Sequence, residues 1–221
     1  MTSSLSQIEK IISRFSDARI AVFGDLMLDV HIRGKVERIS QEAPVPVVAV
    51  KEHETSLGGA ANVVKNISVF GARTFACGIV GNDKDGNELL SLLEGLKCDT
   101  GAVVFSKKRA TTRKERVTAG TQQLLRIDYE DTSPVTDDEV GASISKLLNM
   151  IEKKKLDAVI VEDYAKGLIS GDRLRLIVNS CKKAGIICAL DPHPSHSLNI
   201  KGINFMTPNR GLCIGGHYFL G

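Results

Sequence analysis

No two of the five cysteines, Cys77, Cys98, Cys181, Cys188 and Cys213, are spaced as Cys-x-x-Cys, and their number is odd. That pattern argues against a disulfide framework and against a zinc ribbon, and leaves reduced, mostly buried thiols. No apolar stretch approaches the length needed to span a bilayer, and Met1 to Lys10 lacks the basic-then-apolar layout of a secretion signal. The expectation is a cytoplasmic protein with no membrane partner. Charge of one sign is scarce too: 29 Lys+Arg stand against 26 Asp+Glu. The densest basic run, Lys153-Lys154-Lys155, reads as the solvated end of a helix rather than a nucleic-acid footprint. Three catalytic signatures are missing. Without Gly-x-x-x-x-Gly-Lys-Ser/Thr or Gly-x-Gly-x-x-Gly, neither a P-loop nucleotidase nor a dinucleotide-binding dehydrogenase is supported. Without Gly-x-Ser-x-Gly, an α/β-hydrolase is disfavoured.

What is present is an ordinary globular composition, 43% hydrophobic and 25% charged, over a length that allows one large or two small domains around a sizeable core. Leu5, Ile8, Ile12 and Phe15 recur near helical spacing and predict an opening amphipathic helix that packs on the domain. Buried strands are predicted at 19–24, 74–81, 156–161 and 186–190, where short β-branched or apolar runs stand between turn residues. Helical patterns at 59–70, 86–96, 137–154 and 171–184 alternate with them. That alternation predicts parallel strands with crossover helices, hence a three-layer α/β domain. Two stretches, 30–50 and 102–129, are strand-like with no intervening helix, and predict a separate antiparallel patch that could act as a lid. The segment Asp131-Thr-Ser-Pro134 is the clear loop that follows it.

Several residues at the predicted strand ends could carry chemistry. Asp25 and Asp29 follow the first buried strand, where an open α/β sheet binds its ligands and a carboxylate can accept from sugar hydroxyls. An Asp there is as often a turn former or cap. In Leu57-Gly58-Gly59-Ala60-Ala61-Asn62, paired glycines open onto a helix start. Backbone N–H groups and the Asn62 amide could cradle a sugar or an anion there, or the small residues could serve helix–sheet packing. On a strand, Lys114 and Arg116 share one face while Arg113 and Glu115 share the other, so two cations could converge on a phosphate; an exposed edge kept charged is the competing reading. Glu162-Asp163-Tyr164-Ala165-Lys166-Gly167 and Asp191-Pro192-His193 each follow a buried strand, placing carboxylates where a hydrated magnesium ion could sit and Lys166 where it could offset phosphate charge. His193 and His196 read as turn residues rather than metal ligands.

Seven segments, in this order, resemble one family: Gly24-Asp-x-x-x-Asp29, Arg38-Ile-Ser-Gln-Glu-Ala-Pro-Val-Pro-Val47, Gly58-Gly-Ala-Ala-Asn62, Gln122-Gln-Leu-Leu-Arg-Ile-Asp128, Asp163-Tyr-Ala-Lys-Gly167, Asp191-Pro192 and Thr207-Pro-Asn209. From about residue 18 to about residue 210 the chain is similar to ribokinase-like (PfkB) carbohydrate kinases, and within them to bacterial heptose 7-phosphate kinases. Gly-Gly-Ala-Ala-Asn is common to the wider family, whereas the Arg38–Val47 and Asp163–Gly167 runs are more specific. The resemblance implies a ribokinase-like three-layer sandwich with a mostly parallel sheet and a small β lid, at 30–50 and 102–129. It implies ATP-dependent phosphorylation of a heptose 7-phosphate at the anomeric hydroxyl, for ADP-heptose and lipopolysaccharide. Asp29, Gly58, Gly59 and Asn62 would hold the sugar, and Lys114 and Arg116 its phosphate. Asp163, Lys166, Asp191 and Asn209 would face the ATP phosphates, with Asp163 and Asp191 holding magnesium indirectly. The lid would also form a homodimer contact.

The resemblance stops near Arg210. The family carries an acidic residue three positions after Thr-Pro-Asn, where this sequence has Leu212, and later a Gly-Ala-Gly-Asp motif that supplies an anion hole and the catalytic base. That motif does not occur here, so no catalytic residue is assigned. The expectation is a partial kinase domain over 1–210, lacking its C-terminal part, with a tail at 211–221 outside the family pattern. Phosphoryl transfer rests on positioning and charge stabilisation, so an inactive chain is expected. The alternatives are a non-catalytic sugar-phosphate-binding fragment, or a kinase of this family for another sugar phosphate.

Overall fold

The computed structural model describes residues 2–133, 135–196 and 201–208. Expectations that fall on Pro134, on Asn209 and on the tail at 211–221 lie outside the described residues. So do those on the side chain of Leu5.

Strand β1 (Arg19–Gly24) lies mid-sheet, and its alternation explains why. Ala21 and Phe23 project into one apolar cluster and Val22 into another, all fully buried, as a strand covered on both faces requires. It pairs parallel with β4 (Arg73–Gly81) and β8 (Ala158–Glu162). Among the described residues the sheet continues with β5 (Asp99–Ser106) beyond β4, and with β9 (Ile187–Asp191) and β10 (Phe205–Met206) beyond β8. Every pairing in this six-stranded sheet is parallel. Helices α2 (Gly59–Val69) and α3 (Lys84–Gly95) supply Val64, Leu89 and Leu93 to the cluster around Val22. Helices α4 (Asp137–Glu152) and α5 (Gly171–Ala184) supply Leu147, Ile151, Leu174 and Ile177 to the cluster around Phe23.

The helix ends follow from local chemistry. Ser170 caps α5 by accepting from the Arg173 N–H at 3.4 Å, and Gly185 ends it in the left-handed region at φ +71°, a conformation that glycine adopts without Cβ strain. Asp83 caps α3 and does more. Its carboxylate accepts from the Gly86 N–H at 2.7 Å, and from the Thr111 N–H and hydroxyl at 2.8 Å each, tying the loop after β5 to the loop after β4.

A second, four-stranded sheet stands over the carboxyl edge of the first. Its order is β3 (Pro46–Gly58), β2 (Leu26–Ile39), β6 (Thr112–Ala119), β7 (Gln122–Tyr129). Two expectations change. The segment 102–106 belongs to β5 of the main sheet, so the later lid strands begin at Thr112; no helix separates β5 from β6, which hides the boundary from a pattern reading. The patch is also not wholly antiparallel, because β2 and β6 run parallel. Both strands leave the same edge of the main sheet, one from β1 and one from β5, and so travel outward together.

The first helix, α1 (Thr2–Ser13), forms but does not pack as expected. Ile8, Ile11 and Ile12 are exposed, because α2 to α5 already cover both faces of the sheet. Phe15 alone finds an aromatic partner, meeting Phe70 edge-on at 5.7 Å. Among the described residues no helix is long and apolar enough to cross a membrane.

Candidate functional site

The carboxyl ends of β1, β8 and β9 bring Gly24, Glu162 and Asp191 into one row, with Gly24 paired to Glu162 and Glu162 to Asp191. Chain emerging there supplies Asp25, which is buried. Its Oδ2 accepts from the N–H groups of Tyr164 at 2.9 Å and Lys166 at 3.3 Å, and its carbonyl accepts from the Ala60 N–H at 3.1 Å. Asp25 thereby fixes both the Glu162–Gly167 loop and the start of α2. Burial pushes its pKa up to about 6, against the pull of the two backbone donors. Gly59 bends over the same carbonyl at φ +52°; a Cβ there would lie 2.6 Å from Asp25 O, so glycine is required both for the turn and for the close approach.

On β2, Asp29 pairs in register with Lys114 of β6 and Ser56 of β3. Its carboxylate receives the Arg116 guanidinium, both side chains about a quarter exposed. Gly58 lies directly behind, with a virtual Cβ only 2.7 Å from Asp29 Oδ2. Asp29, Gly58 and Arg116 are therefore one unit, an acceptor and a donor held side by side as hydroxyl recognition needs. Lys114 and Arg116 do share a face of β6, and Arg113 pairs with Glu115 and Asp85 on the other, beneath the Tyr129 ring.

Lys114 Nζ reaches Asp128 at 3.0 Å and Glu130 at 3.1 Å, and Lys166 Nζ reaches the same Glu130 oxygen at 2.7 Å. One carboxylate thus joins the second sheet to the loop after β8. Lys166, then Lys114, hold Glu130 below the usual carboxylate range despite partial burial. Ala165, the residue before Lys166, sits at φ +55° and donates its N–H to Asp163 Oδ1 at 2.9 Å; a non-glycine residue there stores strain to aim the next side chain. The Arg109 guanidinium braces the same loop, bonding the Lys166 carbonyl at 3.0 Å and the Asp131 carbonyl.

Asp163 and Asp191 stand at the ends of β8 and β9. The Asp163 side chain is wholly buried; besides Ala165 it contacts His196 Nδ1 at 2.6 Å. His196 is thus more than a turn residue, whereas His193 keeps that role through Ser195 at 2.7 Å. Asp191 is half-buried and accepts from the Thr207 hydroxyl at 3.0 Å. Asp163 and Asp191 meet through the backbone, the Asp163 N–H donating to the Asp191 carbonyl at 3.0 Å. Among the described residues no group of three His, Cys, Asp or Glu side chains could hold a metal. Asn62 is exposed on the first turn of α2.

Glu162, between Gly24 and Asp191, is 5% exposed, and burial followed by the Asp191 charge pushes its pKa up to about 8. Sequence reasoning passed over Glu130, Arg109 and Asp83. Only Asp83 left a local signal, an Asp three residues before Gly86 at a helix start. Glu130 lies at the end of a strand run and its partner Lys166 is 36 positions away, so nothing in spacing links them.

The profile described as pfkB family carbohydrate kinase matches residues 17–211. The protein named bifunctional protein HldE of Sulfurimonas denitrificans is 38% identical over 203 residues, 91% of this chain and 42% of that protein. The protein of that name from Desulfatibacillum aliphaticivorans is 39% identical over 199 residues, 90% of this chain and 40% of that one. The chain thus spans about two fifths of the length of these relatives. Among solved structures, a possible 1-phosphofructokinase from Thermotoga maritima superposes with TM-score 0.69 at 17% identity, covering 92% of this chain and 62% of that one. Arabidopsis thaliana ribokinase complexed with ribose and ATP does so with TM-score 0.61 at 16% identity, covering 86% and 60%. At those identities the structures establish the fold alone.

Proposed function

Because the chain belongs to the pfkB family of carbohydrate kinases, we propose that it carries the acceptor side of an ATP-dependent, magnesium-dependent kinase site for a heptose 7-phosphate, phosphorylated at its anomeric hydroxyl. The supporting observation is the convergence of two recognition units at one face of the second sheet: Asp29 with Gly58 and Arg116 for hydroxyls, and Lys114 of that sheet with Lys166 of the loop after β8 for a phosphate. A ligand with hydroxyls at one end and a phosphate at the other fits that spacing of chemistries. The likeness to proteins named HldE, at 38% and 39% identity, favours the heptose over other sugar phosphates. Asp191 remains the group proposed nearest the ATP phosphates, whereas Lys166, expected there from the resemblance, is assigned to the sugar's phosphate because it shares Glu130 with Lys114. Residues 1–210 are proposed as one kinase domain, with the second sheet as its lid. The lid face opposite Lys114 and Arg116 exposes Leu125, Ile127 and Tyr129, and is the surface proposed for a homodimer.

Calorimetric titration with heptose 7-phosphate and, separately, with Mg-ATP tests this reading, together with an ADP-release assay. Lys114→Ala or Arg116→Ala should weaken heptose 7-phosphate binding about 10-fold or more, as expected when one charge-assisted hydrogen bond is removed, and leave Mg-ATP binding unchanged. Equal affinities for the sugar with and without its phosphate would sink the assignment of Lys114. ADP release decides between a kinase and a chain that binds the sugar phosphate without transfer.

A further inference from the structure

We propose that Glu130 is an internal stand-in for the ligand's phosphate: its carboxylate occupies an anion site shared by Lys114 and Lys166, and a phosphate monoester binds there by displacing it. The inference rests on the reading of this cleft as a sugar-phosphate site and adds the residue that controls entry to it. Two ammonium groups from different sheets, one on β6 and one on the loop after β8, converge on a single carboxylate oxygen at 3.1 and 2.7 Å. The two lysines are only 16% and 15% exposed, while the Glu130 side chain is 25% exposed and sits immediately past the end of β7, where a change of rotamer can swing it out.

The charges favour the exchange. Lys114, Lys166 and Arg126 bring three positive charges, whereas Glu130 and Asp128 supply two negative ones, leaving a surplus of one. Replacing the Glu130 carboxylate with a phosphate dianion brings the cluster to neutrality, and three phosphate oxygens can serve both lysines at once where one carboxylate oxygen now does. The location also selects the donor. Lys114 is the register partner of Asp29, so an anion at the Glu130 position lies beside the hydroxyl-recognising unit. Because Glu130 is the main ionic tie between the second sheet and the loop carrying Lys166, its displacement transfers that tie to the ligand. Lid position then depends on the ligand's phosphate.

Inorganic phosphate is the probe, titrated into the full chain at low ionic strength and followed by the shift in thermal midpoint. Glu130→Gln keeps the shape and removes the competing charge, and should bind inorganic phosphate about 10-fold more tightly than the parent. Adding Lys166→Ala should abolish the gain. Unchanged or weaker binding in the Glu130→Gln chain would mean that Glu130 is only a structural brace. The second readout needs no variant: the side-chain carboxyl of Glu130, followed by carbon NMR against pH, should titrate at a higher pH once phosphate is bound, because its lysine partners are then engaged by the phosphate. A brace would not move. Heptose 7-phosphate binding with the Glu130 titration unmoved overturns this inference and leaves the proposed function standing; a phosphate response without heptose 7-phosphate binding supports the anion site and rejects the heptose.

Discussion

Replacing Gly24 with alanine should cost about 3 kcal/mol of folding stability, near the upper end of the range for overpacking a rigid site. Gly24 is the last residue of β1 and pairs with Glu162 of β8. A Cβ there would lie 2.3 Å from the Glu162 carbonyl oxygen, 2.8 Å from the Glu162 Cβ and 3.1 Å from the Ala60 Cβ. The first of these is backbone in a central strand and cannot swing aside. Relief requires β1 and β8 to separate at the edge that holds Asp25 and the Glu162–Gly167 loop, so the same change should disorder the site as well. For a chain of this size the thermal midpoint should fall by about 6–12 °C. A fall of under about 2 °C in a scanning calorimeter would show that the mouth of the sheet can yield, against the close packing inferred here.

The second large effect is a pH dependence centred on Glu162. Its ordinary value of 4.5 is raised to about 8 by burial and by the neighbouring Asp191 charge. The folded chain therefore keeps a proton that the unfolded chain releases, and stability that is fully present below pH 4.5 is lost as pH rises toward 8. The slope is at most about 1.4 kcal/mol per pH unit, and the ceiling over the whole window is about 5 kcal/mol, reduced by whatever water reaches the carboxyl. Asp25 contributes with the same sign but only from 3.8 to about 6, so the interval from pH 6 to 8 isolates Glu162. Glu162→Gln should flatten the profile in that interval and be the more stable chain at pH 8. Urea unfolding of both chains across that interval measures it. Parallel profiles for parent and variant would mean that Glu162 is ionised in the folded state.

Both effects arise at one edge of the sheet because ligand sites there are made of chain that must turn sharply, exposing backbone and carboxylates in little space. The same crowding raises Glu162 and Asp25 and requires Gly24, Gly58 and Gly59. The second sheet contributes the opposite chemistry. Its cleft-facing ion pairs are partly buried, and its cations are engaged by carboxylates of the chain itself, Arg116 by Asp29 and Lys114 by Asp128 and Glu130.

The alternation of β-branched runs with helical patterns was enough for the main layers. Strand β1 and helix α5 coincide with their predicted bounds, and α2, α3, α4, β4, β8 and β9 fall within about two residues of theirs. Period 2 on β6 was likewise enough to put Lys114 and Arg116 on one face, because side-chain direction along a strand is a local property. Strand pairing is not. That β2 runs parallel to β6, that 102–106 joins the main sheet, and that Ile8, Ile11 and Ile12 find no core to enter depend on which surfaces remain free once the other elements have packed.

The site divides in the same way. By itself the sequence determined which residues stand at strand ends and which glycines precede α2, since these are matters of order along the chain. Only the tertiary structure decided that Lys114 and Lys166, 52 positions apart, close on Glu130, that Asp163 turns inward to His196, and that Glu162 is buried beside Asp191. Ion pairing and burial depend on distance in space and on the exclusion of water, and neither exists until the two sheets meet.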